Sequence, residues 1–210
     1  VKGKGMEVRQ ITSKETDPFL LHIHYAKRKP CIQYAYGLFD NEELIGCVTF
    51  GPPASPQVYK SLLLWSDKFK SILIELNRLC LRYNRPNEAS FLVGAALRML
   101  PKPKMVISYA DSTQKHVGYI YQATNFMYCG SSGAKDYAFI IDGKRIPRRT
   151  ICAQGHTNPT TWARENNIEM VREDIKHRYV YLCGDKRQKK AMIQLLKPKQ
   201  LPYPKGEESK

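Results

Sequence analysis

Ser108-Tyr109-Ala110-Asp111 places a carboxylate just past an apolar run, Met105-Val106-Ile107, and ahead of a segment with helical spacing. An aspartate at such a strand end can act as a base, ligate a metal or accept a hydrogen bond from an amine, and it can equally cap the following helix. Further on, His116, Tyr119 and Gln122 share one helical stripe and Gly118, Tyr121 and Asn125 another. Phenols and amides on two stripes suit a wet cleft, and the competing reading is a pair of core tyrosines with satisfied hydroxyls. A second polar loop, Asn84-Arg85-Pro86-Asn87-Glu88-Ala89-Ser90, offers backbone N–H groups at a helix start with Arg82 and Arg85 beside it. Amides, helix dipole and guanidinium together can hold a phosphate or pyrophosphate. The glycine fingerprints of dinucleotide folds and P-loops are missing, so an ordinary capped helix weighs equally.

His22-Ile23-His24-Tyr25 is a third candidate, because strand alternation would aim both imidazoles to one face as metal ligands. No carboxylate stands at a diagnostic spacing, and two histidines without a third local ligand are more often structural or solvated. Six cysteines (Cys31, Cys47, Cys80, Cys129, Cys152, Cys183) form no Cys-x-x-Cys pair. They read as reduced small hydrophobes, most clearly Cys80 and Cys129.

The elements that must position these groups follow from local patterning. Residues 32–50 read as a β-hairpin around the acidic turn Asp40-Asn41-Glu42-Glu43, and Gly51-Pro52-Pro53-Ala54-Ser55-Pro56 as a surface loop. A helix is expected over 58–69, a strand over 72–81, and a helix over 88–100 capped by Asn87, packed through Gly94, Ala95 and Ala96 and stopped by Pro101. A buried strand over 105–109, a helix over 114–123, a turn at Asn125 and a strand over 126–130 come next. Strands over 137–141 and 178–182, a turn at Asp142-Gly143, a short helix over 158–167 and an extended Pro- and Lys-rich end over 197–205 complete the reading. Apolar strand, polar loop and helix recur twice between Asn77 and Gly130, which predicts an α/β layer with two strand ends side by side, the usual place for a ligand.

Charge points to the partner. Of the net +15, residues 143–210 carry 16 Lys/Arg against 7 Asp/Glu, or +9, which leaves +6 for the first 142. Three clusters lie in those 68 residues: Arg145, Arg148 and Arg149; Lys176-His177-Arg178-Tyr179; and Lys186-Arg187-Gln188-Lys189-Lys190, interleaved with Tyr179, Tyr181 and Trp162. One such cluster is ordinarily a solvated face, whereas three favour a nucleic acid. No apolar run approaches the roughly 20 residues that cross a bilayer, and the start leads into no signal-peptide core. The expectation is a cytoplasmic protein with no membrane partner.

With these residues in view, the chain resembles the phage Mom family of adenine-modifying DNA enzymes, distant relatives of the Gcn5-related N-acetyltransferases. The resemblance rests on Glu75-Leu76-Asn77-Arg78-Leu79, Asn87-Glu88-Ala89-Ser90-Phe91-Leu92, Ser108-Tyr109-Ala110-Asp111, His116-Val117-Gly118 and Ile120-Tyr121-Gln122-Ala123-Thr124-Asn125-Phe126, and extends from about His24 to Tyr203. Tyr121 to Phe126 is similar to the Leu-Tyr-x-x-x-Gly-Phe helix end of the acetyltransferases, with Asn125 in place of glycine, and the Asn84 to Ser90 loop stands where their pyrophosphate loop would be, without its glycines.

The resemblance implies an α/β fold with a mixed central sheet flanked by helices, residues 1–142 forming an acetyltransferase-like catalytic core and 143–210 a basic extension packed on it that contacts DNA. It further implies a transferase that places a carbamoylmethyl or related acetamido or glycyl-type group on N6 of adenine, shielding phage DNA from restriction inside the host cell. Adenine N6 is a weak nucleophile, so a base must remove its proton as the bond forms. Asp111 is the candidate base, Tyr121 and Ser108 its partners, and Arg78 a clamp on the donor. Arg85, Asn87, Ser90 and Asn125 fall on the donor side. The new bond goes to a CH₂ carbon, so plain acyl transfer does not suffice. The donor is then an activated small molecule, acetyl-CoA or another acyl or aminoacyl compound, or iron assists, with His24 and Tyr25 as its ligands. Because N6 lies on the pairing edge, the base must be extruded or single-stranded, and Tyr25, Tyr109 and Tyr119 are the stacking candidates. Arg148, Arg149, Lys176, Arg178, Lys189 and Lys190 would hold phosphates. Two other readings compete: an acetyl-CoA-dependent N-acetyltransferase of a protein or small amine, and a non-catalytic DNA-binding protein.

Overall fold

The computed structural model describes the chain except residues 1, 4, 66–68, 112–116, 133–136, 173–174 and 206–210, and except the side chains of Lys2, Gly3, Asp111, Ser132 and Arg149. In order the elements are β1 (Lys2–Gly3), β2 (Met6–Gln10), β3 (Tyr34–Asp40), β4 (Glu43–Gly51), α1 (Pro56–Leu62), β5 (Leu73–Leu81), α2 (Glu88–Met99), β6 (Lys104–Asp111), α3 (Tyr119–Ala123), β7 (Met127–Ser132), β8 (Tyr137–Ile141), β9 (Lys144–Pro147), α4 (Arg148–Ala153), α5 (Pro159–Glu165), β10 (Glu169–Arg172), β11 (Lys176–Cys183) and α6 (Lys186–Leu195). A π-helical turn covers Pro18–Ile23.

Aromatic and β-branched residues on both sides of Asn41, which takes a left-handed φ of 52°, close the β3–β4 hairpin with Asp40 opposite Glu43. The hairpin belongs to an eight-stranded sheet in the order β1-β2-β3-β4-β5-β6-β11-β7. Antiparallel pairing runs from β1 to β5, and then β5 meets β6 in parallel. A parallel neighbour requires a crossover, and α2 supplies it, so the loops after β5 and β6 leave the sheet at the same edge. Of the two loops read from the sequence, Ser108 to Asp111 is the end of strand β6, Ser112 lies outside the described residues, and Asn84 to Ser90 follows β5 and leads into α2.

Helix α2 buries Leu92, Val93, Ala95, Ala96 and Leu97 and packs on strands β2 to β5. Phe19 and Leu20 of the π-helical turn form a further core with Ile11, Ala35, Phe39, Cys47 and Cys80. A third cluster joins Leu62 and Leu63 to Leu73, Met105, Ile107, Val180, Leu182 and Met192, so α1 and α6 cover the β5, β6 and β11 region. This mixed sheet with flanking helices is the architecture the resemblance implied.

The chain divides elsewhere than at residue 142. One compact unit comprises residues 1–109, 118–130 and 178–204, and the other residues 110–117, 131–177 and 205–210. The reason is topological: β11 inserts between β6 and β7, and Val180, Leu182 and Met192 are buried in the core, so much of the expected extension completes the main sheet. The smaller unit has its own three-stranded sheet, β10-β8-β9, and its own core of Phe139, Ile151 and Ala163. Asp142 and Gly143, both at positive φ, turn β8 into β9.

Several local expectations shift. The helix expected over 58–69 is α1, ending at Leu62; of the helix expected over 114–123, residues 114–116 lie outside the described residues, Val117 and Gly118 are not helical, and α3 covers Tyr119–Ala123. His22 and His24 do not alternate on a strand; the π-helical turn leaves His22 exposed and His24 buried. All six cysteines are free thiols, Cys47, Cys80, Cys129 and Cys183 buried and Cys31 and Cys152 exposed. No helix among the described residues is long and apolar enough to cross a membrane.

Candidate active site

Strands β5 and β6 pair only at Leu73 with Met105, Ile74 with Val106 and Glu75 with Ile107, although both continue beyond. Past Glu75 they part. Ser108 stands at the fork and its Oγ donates to the Leu76 carbonyl at 3.2 Å. On the other side of β5, Thr49 pairs with Arg78 and Phe50 with Leu76, which leaves Asn77 as an extra residue in a bulge. Bulges bend a strand and re-aim side chains. Asn77 anchors this one by accepting from Thr49 Oγ1 at 2.6 Å and donating to the Cys31 carbonyl at 3.0 Å.

Side chains converge on the fork. Ser108 shares a side-chain hydrogen bond with Tyr121 of α3, which pulls the phenol's pKa down while burial, the larger effect, and the neighbouring Tyr25, Glu75 and Tyr179 push it up. The net direction is upward, so the Tyr121 hydroxyl is a proton-bearing donor at neutral pH. Its ring lies 5.3 Å from Phe126 and 5.2 Å from the fully buried Tyr179. Burial first, and then the Arg78 charge, lower His24 to about 4, so its imidazole is neutral. Tyr25 stacks on that imidazole at 4.4 Å and is 79% exposed. The structure thus brings together Arg78, Ser108, Tyr121, His24 and Tyr25. Glu75 of β5 joins them, a carboxylate that in the sequence alone looks like punctuation in an apolar run.

Gly118 and Asn125 set the helix that carries Tyr121. Gly118 has φ 82°, and a Cβ there would lie 2.5 Å from the Tyr179 ring, so only glycine fits. Asn125 ends α3 in the left-handed conformation at φ 60°, and the next amide, of Phe126, returns to the Tyr121 carbonyl at 2.9 Å. That gives Asn125 a backbone role, and its residue is exposed.

The Asn84 to Ser90 loop departs from its expected use. Glu88 is buried, accepts the Arg85 backbone N–H at 2.8 Å and pairs with the Arg85 guanidinium, which also meets Asp40 at 2.9 Å. A protein carboxylate therefore already uses the anion-seeking groups of Arg85. Asn87 sits at the helix start with φ 68° but its side chain makes no capping bond, and Ser90 Oγ donates to the Asn87 carbonyl at 3.2 Å.

Among the residues expected to meet DNA, Tyr119 is 63% exposed, and Lys189 and Lys190 are exposed on α6. Arg178 is half-buried, and its Nε and Nη2 both donate to the Cys129 carbonyl, at 3.1 and 2.7 Å. Tyr109 is half-buried against the α1–α6 core, and burial, with Glu75 adding and Arg178 opposing, pushes its phenol up to about 12. Tyr179 is entirely buried. Arg148 reaches Thr160 Oγ1 at 3.4 Å and Lys176 is half-buried. The side chains of Arg149 and Asp111, and all of His116, lie outside the described residues.

Iron fits this donor set poorly. His24 Nδ1 accepts the Ala26 N–H at 3.1 Å, which assigns the ring proton of the neutral imidazole to Nε2 and leaves neither nitrogen with an open lone pair. Among the described residues no three His, Cys, Asp or Glu side chains converge to hold a metal. Two groups that serve the site carry no local signal in the sequence: the Asn77 bulge, and Tyr203, whose hydroxyl donates to the Phe126 carbonyl at 2.7 Å from the far end of the chain.

Known proteins resemble the chain at two levels. Its backbone is similar to that of an N-acetyltransferase from Staphylococcus aureus Mu50, with 11% identity over 86% of this chain and 100% of that one and a TM-score of 0.49. Arabidopsis thaliana NAA60 in complex with acetyl-CoA gives 13% identity over 84% and 98%, also with a TM-score of 0.49. In sequence, the methylcarbamoylase mom of Escherichia phage Mu is 27% identical over 211 residues, spanning 97% of this chain and 85% of that protein. Matched across residues 5–205, the chain belongs to the Mom protein family.

Proposed function

We propose that this protein is a DNA-modifying transferase that places a carbamoylmethyl group on N6 of adenine. The observation that carries the reading is the convergence of Ser108 and Tyr121 with Arg78, His24 and Tyr25 where β5 and β6 part, in a chain of the Mom family. A site with one protonated phenol, one guanidinium, one neutral imidazole and one exposed ring suits a neutral heteroaromatic substrate and a polar donor better than it suits a charged amine.

In this reading the extruded adenine stacks on Tyr25, whose ring is already backed by His24, and Tyr119 offers a second exposed face. The donor's carbonyl oxygen accepts from Arg78, and the Tyr121 hydroxyl, held by Ser108, offers its oxygen to the donor's carbamoyl N–H, which together orient the CH₂ carbon toward N6. The N6 lone pair forms the new bond to the donor's CH₂ carbon, the bond from that carbon to its leaving group breaks with its electron pair, and the N6 proton passes to a base. Asp111, at the end of β6, is the proposed base on the strength of the family resemblance. The donor for such a displacement is a small activated compound that carries its leaving group on the CH₂ carbon of a carbamoylmethyl unit, with Asn87 and Ser90 on its side of the site. Arg85 has no part in holding it, because Glu88 and Asp40 already occupy its guanidinium.

The test is protection. DNA from cells expressing the protein is challenged with an endonuclease that requires unmodified adenine in its site. Resistance that disappears with Tyr121→Phe supports the reading, and full cleavage of DNA from cells that accumulate folded protein contradicts it.

A further inference from the structure

The exposed charge that the site does not use gathers on one face of the larger unit. Arg98, in the last turn of α2, is close enough to the Tyr181 phenol to lower its pKa against the raising effect of burial. Lys189 of α6 has its Nζ 6.0 Å from the centre of the same ring. Lys102, in the connection from α2 to β6, and Lys189 both act on the Cys183 thiol, whose Sγ donates to the Leu97 carbonyl at 3.6 Å. Lys186, Lys189 and Lys190 then line an open hollow of about 740 Å³ along α6, with Ile193 and Gln194. Five cations from two helices and a loop thus share a surface around one half-buried aromatic ring. None of them pairs with a carboxylate among the described residues. The nearest acid in sequence, Asp185, is turned into the start of α6, where it accepts the Gln188 N–H at 2.8 Å while Gln188 bonds back to its own amide.

We propose that Arg98, Lys102, Lys186, Lys189 and Lys190 form the seat for the phosphodiester backbone of the DNA substrate. The inference rests on the DNA reading above and adds to it a surface, including two residues from outside the basic C-terminal third. A small anion needs donors that converge in an enclosed site, whereas these are spread over an open face and suit a polyanion. Lys186 and Lys190, one turn of helix apart, are separated by about 6 Å of helix rise. Charges along one DNA strand recur about every 3.4 Å of axis, so the two lysines span roughly two phosphate steps. Such contacts fix the register of the duplex without reading sequence.

The experiment measures binding of the full chain to a fluorescent DNA duplex by anisotropy across a series of salt concentrations. It compares the wild type, Arg98→Gln/Lys102→Gln, Lys186→Gln/Lys190→Gln, and Lys144→Gln as a control on the β9 strand, with melting temperatures showing that each variant is folded. Each double variant should reduce the slope of log Kd against log salt by roughly 2, about 0.9 for each phosphate no longer neutralised, and weaken binding at least about tenfold at low salt. The control should not move. If the wild type binds DNA and both double variants bind as it does, the platform is overturned while the DNA reading survives. If the wild type fails to bind any duplex or single strand, both fall. Loss of binding to anionic vesicles, with DNA binding unaltered in the same variants, assigns the surface to lipid and also overturns the proposal.

Discussion

Ser108 Oγ donates to the Leu76 carbonyl at 3.2 Å, one residue beyond the last β5–β6 pair, and the same side chain bonds the Tyr121 phenol. A hydroxyl can do both because it donates once and accepts twice. The strand fork is thereby tied to the helix that delivers Tyr121. Ser108→Ala should cost about 1 kcal/mol of stability, the scale of one net hydrogen bond. The Tyr121 phenol, deprived of the bond that favours ionisation, should titrate higher still. Modified adenine should fall by more than the small loss of folded protein explains; equal declines in the two would make Ser108 purely structural.

Tyr121→Phe keeps the ring packing against Phe126 and Tyr179 and deletes only the hydroxyl. Loss of one group that positions the reacting donor costs about 10²-fold in rate. The variant should therefore melt close to the wild type while its modification rate drops on that scale. A rate within a factor of two of wild type would remove Tyr121 from the reaction.

Glu88 and Arg85 separate a structural salt bridge from a phosphate seat. Glu88→Ala leaves the Arg85 amide and guanidinium without their buried acceptor and should cost about 1–3 kcal/mol. Arg85→Ala exposes no binding defect if the pair is structural: chemical denaturation should show a loss, and the apparent affinity for the donor should hold. A donor affinity that collapses with unchanged stability would restore Arg85 to the donor site.

The pH dependence of stability follows from His24. Its pKa is about 4 in the folded chain against 6.5 ordinarily, because burial, assisted by Arg78, disfavours the imidazolium. Between those values the unfolded chain binds a proton that the folded chain does not, so stability falls as pH drops. The contribution is complete above about pH 6.5 and gone near pH 4. Melting temperature should decline across that window, and His24→Gln, whose amide oxygen can still accept from Ala26, should flatten the decline. An identical pH curve in the variant would assign the acid sensitivity elsewhere.

Gly118→Ala should be destabilising beyond an ordinary surface substitution, by about 1–3 kcal/mol, because it combines a positive φ with a Cβ 2.5 Å from a fully buried tyrosine. A melting temperature equal to wild type would show that α3 can re-seat.

Much of this was legible in the chain. Alternating aromatic residues gave β3 and β4, small residues and Pro101 framed α2, and the two apolar runs gave β5 and β6, whereas their parting after Glu75 had no sign in the chain. What escaped is long-range. Nothing near Tyr179 says that β11 will slot between β6 and β7, and the Lys186 to Lys190 cluster masked a helix whose Asp185 and Gln188 form a capping box. Arg85 and Arg178 looked like free cations because their partners, Asp40 and Cys129, are distant in sequence. The two histidines suggested a strand because the only local sign against one is Pro18, which opens the π-helical turn several residues earlier.

The most direct measurement is mass spectrometry of enzymatically digested DNA from cells expressing the wild type, Asp111→Asn or Tyr121→Phe. Wild-type DNA should yield a deoxyadenosine heavier by one carbamoylmethyl group, with fragmentation placing the addition on the base at N6, and both variants should yield little or none. Only unmodified deoxyadenosine from cells that contain folded wild-type protein and modify DNA with another Mom-family enzyme would contradict the account.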